Sequence, residues 1–202
     1  MKTIIFSALM AISTVSFAQS FWVKFCPTFT NMLLKDNDNR IDSKMIFGYD
    51  LGAFAEFPVN DNFSFETGIQ FTSKGMKAND ADTDLKLELS YIDIPLTAKI
   101  AFKLAGIKAY GAFGPYVGYG IGGQIYIDGL GTKVKWGSNG ESDNLKPLDY
   151  GLNIGAGIEI NALQIGLSYG YGLANINPTS DNGAKASNRA LGISVGYRFA
   201  KI

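Results

Sequence analysis

Along the closing stretch ALGISVGYRFAKI, residues 190–202, Leu191, Ile193, Val195, Tyr197 and Phe199 occupy every second position, with Ala190, Gly192, Ser194, Gly196 and Arg198 between them. A period of two is the pattern of a β-strand with two unlike faces. A half-buried strand of a soluble sheet turns Lys, Glu, Thr or Gln to water on its second face. Here that face carries glycine, alanine and serine, which suits a crowded interior.

The same test finds seven further segments. FWVKFCPTFT (21–30) alternates Phe21, Val23, Phe25, Pro27 and Phe29 against Trp22, Lys24, Cys26, Thr28 and Thr30. Segments 47–57 and 63–74 flank Pro58-Val59-Asn60-Asp61-Asn62, which is turn chemistry. A fourth, 90–103, joins 107–127 through Leu104-Ala105-Gly106, and 150–160 meets 163–173 across Asn161-Ala162. The stretch 109–127 carries no charge and is long enough to cross a bilayer as a helix. Its glycines, its Pro115 and its alternating apolar positions make it a strand instead.

Connections alternate in length, with three tight ones and four long polar ones at roughly 31–46, 75–88, 128–149 and 174–188. Antiparallel hairpins, short turns at one end and long loops at the other are the plan of an outer-membrane barrel, whose strands need about 9–11 tilted residues to cross. The pattern predicts an all-β fold: an eight-stranded antiparallel up-and-down transmembrane β-barrel of outer-membrane type. It forms a single domain over 19–202, with both termini in the periplasm. An eight-stranded interior is just wide enough to be filled by side chains. That explains Gly151, Asn153, Gly155, Gly157 and Glu159 inside while Leu152, Ile154, Ile158 and Ile160 face lipid. A soluble barrel of lipocalin type would place these faces the other way round.

Met1-Lys2-Thr3, the apolar run from Ile4 to Phe17 and the small residues Ser16 and Ala18 predict a cleaved export signal at 1–18. The destination expected is the outer membrane of a Gram-negative bacterium. Cys26 is the single cysteine, so no internal disulfide is available to an exported chain. Charged residues make up 18% of the chain against a usual ~25%. Net charge is zero with no basic run, which argues against a nucleic-acid partner.

The chain contains no histidine. That removes Ser-His-Asp and Cys-His nucleophiles and histidine-ligated zinc, so neither an enzyme nor a cofactor is expected. The inward phase places Asp50, Glu56, Glu66, Asp93 and Glu159 in the lumen with Lys24, Lys74, Lys99, Lys108 and Arg198. Buried charges need partners. A structural salt-bridge network that plugs the barrel is the expectation, with a proton relay as the alternative. Asp80, Asp82 and Asp84 begin like a calcium loop, but Leu85 and Tyr91 stand where such a loop needs glycine and glutamate, so a solvated acidic loop is expected. Trp22, Trp136, Tyr150, Tyr169, Tyr171 and Tyr197 are candidates for interfacial girdles, with scatter along the lipid face the alternative.

The run LGAFAEFPVNDNFSFETGIQFTSKGMK (51–77), with LSYIDIPLTAKIAF (89–102), LDYGLNIGAGIEI (148–160) and LGISVGYRF (191–199), resembles the PorT-like outer-membrane β-barrel family. Its most specific parts are Tyr91-Ile92-Asp93-Ile94-Pro95, Ser73-Lys74-Gly75 and Gly196-Tyr197-Arg198-Phe199. Two departures stand out. The usual glycines around Val23-Lys24 are missing, and Ala200-Lys201-Ile202 follow the phenylalanine that often ends such barrels. The resemblance implies an eight-stranded outer-membrane barrel whose family namesake is needed for secretion of other proteins, and it supplies no catalytic motif.

The function expected is that of a non-enzymatic integral barrel with a structural, interaction or secretion-associated role. Its partners would be outer-membrane lipid, the barrel-assembly machinery during insertion, and an extracellular or periplasmic protein. A small channel or transporter of small solutes, and a soluble small-ligand-binding barrel, are the competing readings.

Overall fold

The computed structural model describes residues 20–36, 39–41, 43–80, 83–140, 142–179 and 184–201. The signal segment expected at 1–18 lies outside them, as does Asp82. Among the described residues ten strands follow one another in chain order: β1 Ser20–Asp36, β2 Asn39–Ile41, β3 Ile46–Pro58, β4 Phe63–Asp80, β5 Thr83–Leu104, β6 Ile107–Ile127, β7 Leu130–Lys133, β8 Leu148–Ile160, β9 Leu163–Gly172 and β10 Lys185–Lys201. Eight of them form a ring in the order β1-β3-β4-β5-β6-β8-β9-β10, and β10 returns to pair antiparallel with β1 from Ser20↔Lys201 to Lys35↔Lys185. β2 and β7 are short strands folded back on β1 and β6. The fold is therefore an all-β, eight-stranded antiparallel barrel, and closure leaves its long strands without a free edge in the ring.

The turns follow from local chemistry. Ala105 and Gly106 both take positive φ (47° and 87°), the backbone of a two-residue hairpin turn whose twist matches its strands. Asn161 takes φ 56° at the β8–β9 turn, a conformation asparagine tolerates. In the β3–β4 turn the backbone N–H groups of Asn62 and Phe63 donate to Asn60 Oδ1 at 3.0 and 2.9 Å. These three tight turns, with Ser20 and Lys201, lie at one end of the barrel, the periplasmic end of this architecture.

Val23, Phe25, Leu51, Ile69, Ile94, Phe113, Ile154, Leu167 and Ile193, on all eight ring strands, are exposed. Soluble monomers rarely expose contiguous apolar surface beyond a few hundred Å². A belt around the whole barrel is a lipid-facing surface.

The strands run further than alternation predicts. The expected loop 75–88 is almost wholly strand, since β4 continues to Asp80 and β5 begins at Thr83. β1 reaches Asp36 and β10 starts at Lys185, shortening two more of the expected loops. The physical reason is a change of solvent. Beyond the bilayer the period of two persists with its sign reversed: Leu87 and Leu89 point inward and are buried, while Lys86 and Glu88 face out and pair at 2.6 Å. A template that expects apolar residues outside stops where lipid stops.

A bulge between Ser90 and Tyr91 in the β5–β6 pairing makes the second adjustment. Before it Gly120 faces in; after it Gly123 and Ile125 stand opposite the inward Leu89 and Leu87. One extra residue re-aims the outer part of β6.

Candidate functional site

The interior is layered. At the turn end, Lys24 on β1 reaches Glu66 on β4 at 2.5 Å. Lys99 on β5 pairs closely with Glu159 on β8 and lies 3.4 Å from Glu56 on β3. Lys108 on β6 approaches Glu159 at 3.7 Å. Neutral groups fill the remaining acceptor sites: Trp22 Nε1 donates to Glu56 at 3.0 Å, Ser64 Oγ to Glu56 at 2.7 Å, and Gln164 Nε2 to Glu159 at 3.1 Å. Lys99 also sits over the rings of Trp22 and Tyr110, so its charge is covered on several sides and the residue is 2% exposed. Full pairing of this kind is what a buried ion needs to offset desolvation.

Nearer the loops is a second cluster. Lys74 on β4 donates to Asp149 on β8 at 2.9 Å and lies 2.9 Å from Asp93 on β5. The rings of Tyr91 and Tyr116 flank its ammonium at 4.8 and 4.5 Å. Asn188 Nδ2 on β10 also donates to Asp149 Oδ2, at 2.9 Å, and the Tyr116 hydroxyl reaches the same oxygen at 3.3 Å. Gly118 makes this arrangement possible, because a side chain there would occupy the place of the Asp93 carboxylate.

Above this cluster the lumen turns apolar. Met32, Met76, Leu87, Leu89, Tyr91 and Ile176 pack with Val134 and Leu145 from the β7–β8 connection. That connection is pinned over the mouth by backbone hydrogen bonds from Val134 N–H to the Gly123 carbonyl at 3.1 Å and from Lys146 N–H to the Ile176 carbonyl at 2.8 Å. Trp136 meets Tyr91 edge to face at 5.5 Å between centroids. Its ring occupies the space a Cβ on Gly120 would need.

Of the ten lumen charges named from sequence, eight have an opposite charge within 4 Å. Asp50 and Arg198 are not brought to one among the described residues. Asp50 lines the central cavity, and Arg198 donates to the Asn161 carbonyl at 2.6 Å and stands 5.2 Å from the Trp22 ring. Asp149 was missed from sequence. It has the inward parity of Gly151 and lies one residue before the point where alternation was counted. Two of the girdle candidates are corrected. Trp22 is wholly buried in the lumen, held by Glu56, and Trp136 packs inside the mouth. An indole N–H beside a buried carboxylate is worth more there than at a headgroup. The acidic loop falls mostly outside the described side chains; Asp84 lies 3.5 Å from Lys77.

A closed ring of eight antiparallel strands, apolar outside and charged inside, defines a transmembrane β-barrel of the outer-membrane class. The chain belongs to the outer membrane protein beta-barrel domain family, whose model matches residues 17–177, and the protein is a Gram-negative outer-membrane barrel. No curated protein matches it. Among solved structures it is similar to the outer membrane protein OprG from Pseudomonas aeruginosa, with 14% identity, a TM-score of 0.51, and coverage of 91% of this chain and 97% of that one. It is also similar to Ail, the attachment invasion locus protein of Yersinia pestis, with 15% identity, a TM-score of 0.44 and coverage of 90% and 99%. The outer membrane enzyme PagL matches with 11% identity, a TM-score of 0.47 and coverage of 86% and 98%. At these identities the likeness concerns the fold.

Proposed function

We propose that this protein is a non-enzymatic, non-conducting outer-membrane barrel of PorT-like type that works through its outer surface, as a protein contact in a secretion-associated or structural role. The observation that carries this reading is the double closure of the lumen: paired charges at the turn end, and the apolar cluster under the β7–β8 connection at the other. A lumen filled in this way leaves the extracellular structure as the part able to meet a partner. The β4–β5 hairpin supports this, because it continues well past the last β3–β4 pair, Asp50↔Thr72, to Asp80 and Thr83. The lack of histidine supports a non-catalytic role, since the remaining lumen acids and bases are largely engaged with one another.

Two measurements test it. Reconstituted into planar bilayers, the protein gives no discrete single-channel steps; steady conductance would favour the channel reading instead. A photo-crosslinker placed at outward-facing Lys86 in growing cells yields a defined protein adduct, and replacing residues 78–85 with a short Gly-Ser link abolishes the attached phenotype while the barrel still inserts. A truncated hairpin that leaves partners and phenotype unchanged removes the contact role.

A further inference from the structure

We infer that the central cavity of the lumen, beside Lys74, binds a small monovalent cation, held through its own hydration water by Asp50 and Asp93 with the oxygens of Thr28 and Asn188. The charge distribution is uneven. In the turn-side layer Lys24, Lys99, Lys108 and Arg198 stand among three glutamates, whereas Lys74 is paired with both Asp93 and Asp149; of the other charges on the cavity wall near it, Asp50 has no ion pair among the described residues and Arg189 donates to the Gly172 and Asn188 carbonyls. Lys74 uses one oxygen each of Asp93 and Asp149. The opposite oxygens of both, and Oδ1 of Asp50, are buried and accept no hydrogen bond from the described residues.

Two neutral groups point the same way independently of the acids. Among the described residues the Thr28 hydroxyl, on a residue 2% exposed, has no hydrogen-bond partner, and neither has Oδ1 of Asn188, also 2% exposed. Thr28, Asn188, Asp50 and Asp93 come from four different strands and line one central cavity of about 160 Å³. Buried acceptors without donors are costly, and buried uncompensated carboxylates more so. The volume is roughly ten times the ~10–15 Å³ that a single water needs, so an ion has room with part of its hydration shell.

Lys24, Lys74, Lys99 and Arg189 on the same wall are engaged with carboxylates or carbonyls, and the unpartnered groups of Asp50, Asp93, Thr28 and Asn188 are acceptors or a hydroxyl rather than N–H donors, which suits a cation and not an anion. A tightly chelated divalent ion is excluded as well: calcium takes about 6–8 oxygens directly, and among the described residues no three Asp, Glu or Cys side chains stand close enough to hold a metal. A singly charged ion that keeps some of its water needs only a few acceptors on the cavity wall, which Asp50, Asp93, Thr28 and Asn188 supply.

The test is stability of the full-length protein in detergent micelles, read by boiled against unboiled gel mobility over a temperature series. Sodium, potassium and choline chlorides are compared at equal ionic strength and neutral pH. Choline, whose methyl groups keep its charge away from carboxylate oxygens and carry no coordinated water, is the weakly bound reference. At a sodium or potassium concentration ten times the dissociation constant, the folded-to-unfolded ratio should be about tenfold higher than in choline. Asp50→Asn, which breaks no ion pair, should fold and lose that difference. Sodium NMR line broadening on folded wild-type protein gives a readout independent of any variant, and broadening is expected. Equal stability in all three salts, or no broadening, overturns the proposal. So does stabilisation by mild acid that is the same in every salt, because the carboxyl groups would then hold protons. Either result is separable from failure of the closed-barrel reading, which conductance decides.

Discussion

Lys74 and Asp149 lie 75 residues apart in sequence and meet at 2.9 Å across the barrel interior, joining β4 to β8. Neither strand is a neighbour of the other in the ring, so their contact ties opposite walls together. Lys74→Met leaves Asp93 and Asp149 buried without their base and should cost about 3–5 kcal/mol. Adding Asp93→Asn and Asp149→Asn should recover most of that loss, because an apolar or neutral filling is tolerated where a half-broken ion cluster is not. Unfolding in urea from lipid vesicles, monitored by tryptophan fluorescence, measures both. A triple variant no more stable than the single one would assign the effect to packing of the lysine stem.

The outer belt gives a depth-dependent prediction. Leu167 sits mid-strand on β9 and is exposed, whereas Phe102, equally exposed, lies beside the tight turn at 104–106. Leu167→Arg should cost about 2–4 kcal/mol and Phe102→Arg about 0–1 kcal/mol, since the penalty for a cation falls from the bilayer midplane to the interface. Equilibrium folding into vesicles reads the two values. Equal costs would mean that the hydrocarbon band is not centred on this level of the barrel.

Most of the ring was legible in sequence because lipid and lumen impose opposite demands on alternate residues of one strand. Val23, Phe25, Leu51, Ile154 and Leu167 stand outside where parity puts them, and Glu66, Lys99 and Glu159 stand inside. What escaped lies where that contrast ends. Leu85, Leu87 and Leu89 alternate as cleanly as any segment, but in the phase of a water-exposed sheet, so the same stretch read as loop. The bulge at Ser90/Tyr91 faces a run of glycines, and glycine carries no facial preference that would reveal a change of phase. Parity had already grouped Trp22 with Lys24. The habit of placing indoles at the interface obscured a hydrogen bond that only the folded lumen provides.

The apolar cap should be separable from the barrel. Leu89 is 1% exposed at the centre of the cluster beneath the β7–β8 connection. Leu89→Ala removes core contacts worth about 2–5 kcal/mol. That loss falls on the extracellular cluster, not on the lipid-bound ring, so the connection should open locally. Limited proteolysis of intact protein in vesicles should then cut within 134–147 faster than in wild type, while the heat-shifted gel band survives. Global loss of the folded band would show that cap and ring unfold as one unit.

Cys26 reports on closure without any engineered probe. It is the single cysteine of the chain, is 7% exposed, and lies on the wall of the central cavity, with the Lys24–Glu66 and Lys99–Glu159 pairs on its turn side and the Lys74 cluster and apolar cap on its loop side. A maleimide has to pass one of those layers to reach the thiol, so folded protein should stay unlabelled and boiled protein should react. The two closures predict different keys. Converting Lys24, Glu56, Glu66, Lys99 and Glu159 together to alanine removes the ion pairs at the turn end and should admit reagent there, whereas Leu89→Ala should admit it through the loops. A membrane-impermeant maleimide, applied to whole cells, reaches only the extracellular route and so distinguishes the two. Labelling of wild-type protein as fast folded as unfolded would mean that the lumen is open, and the closed-barrel reading would fall with it.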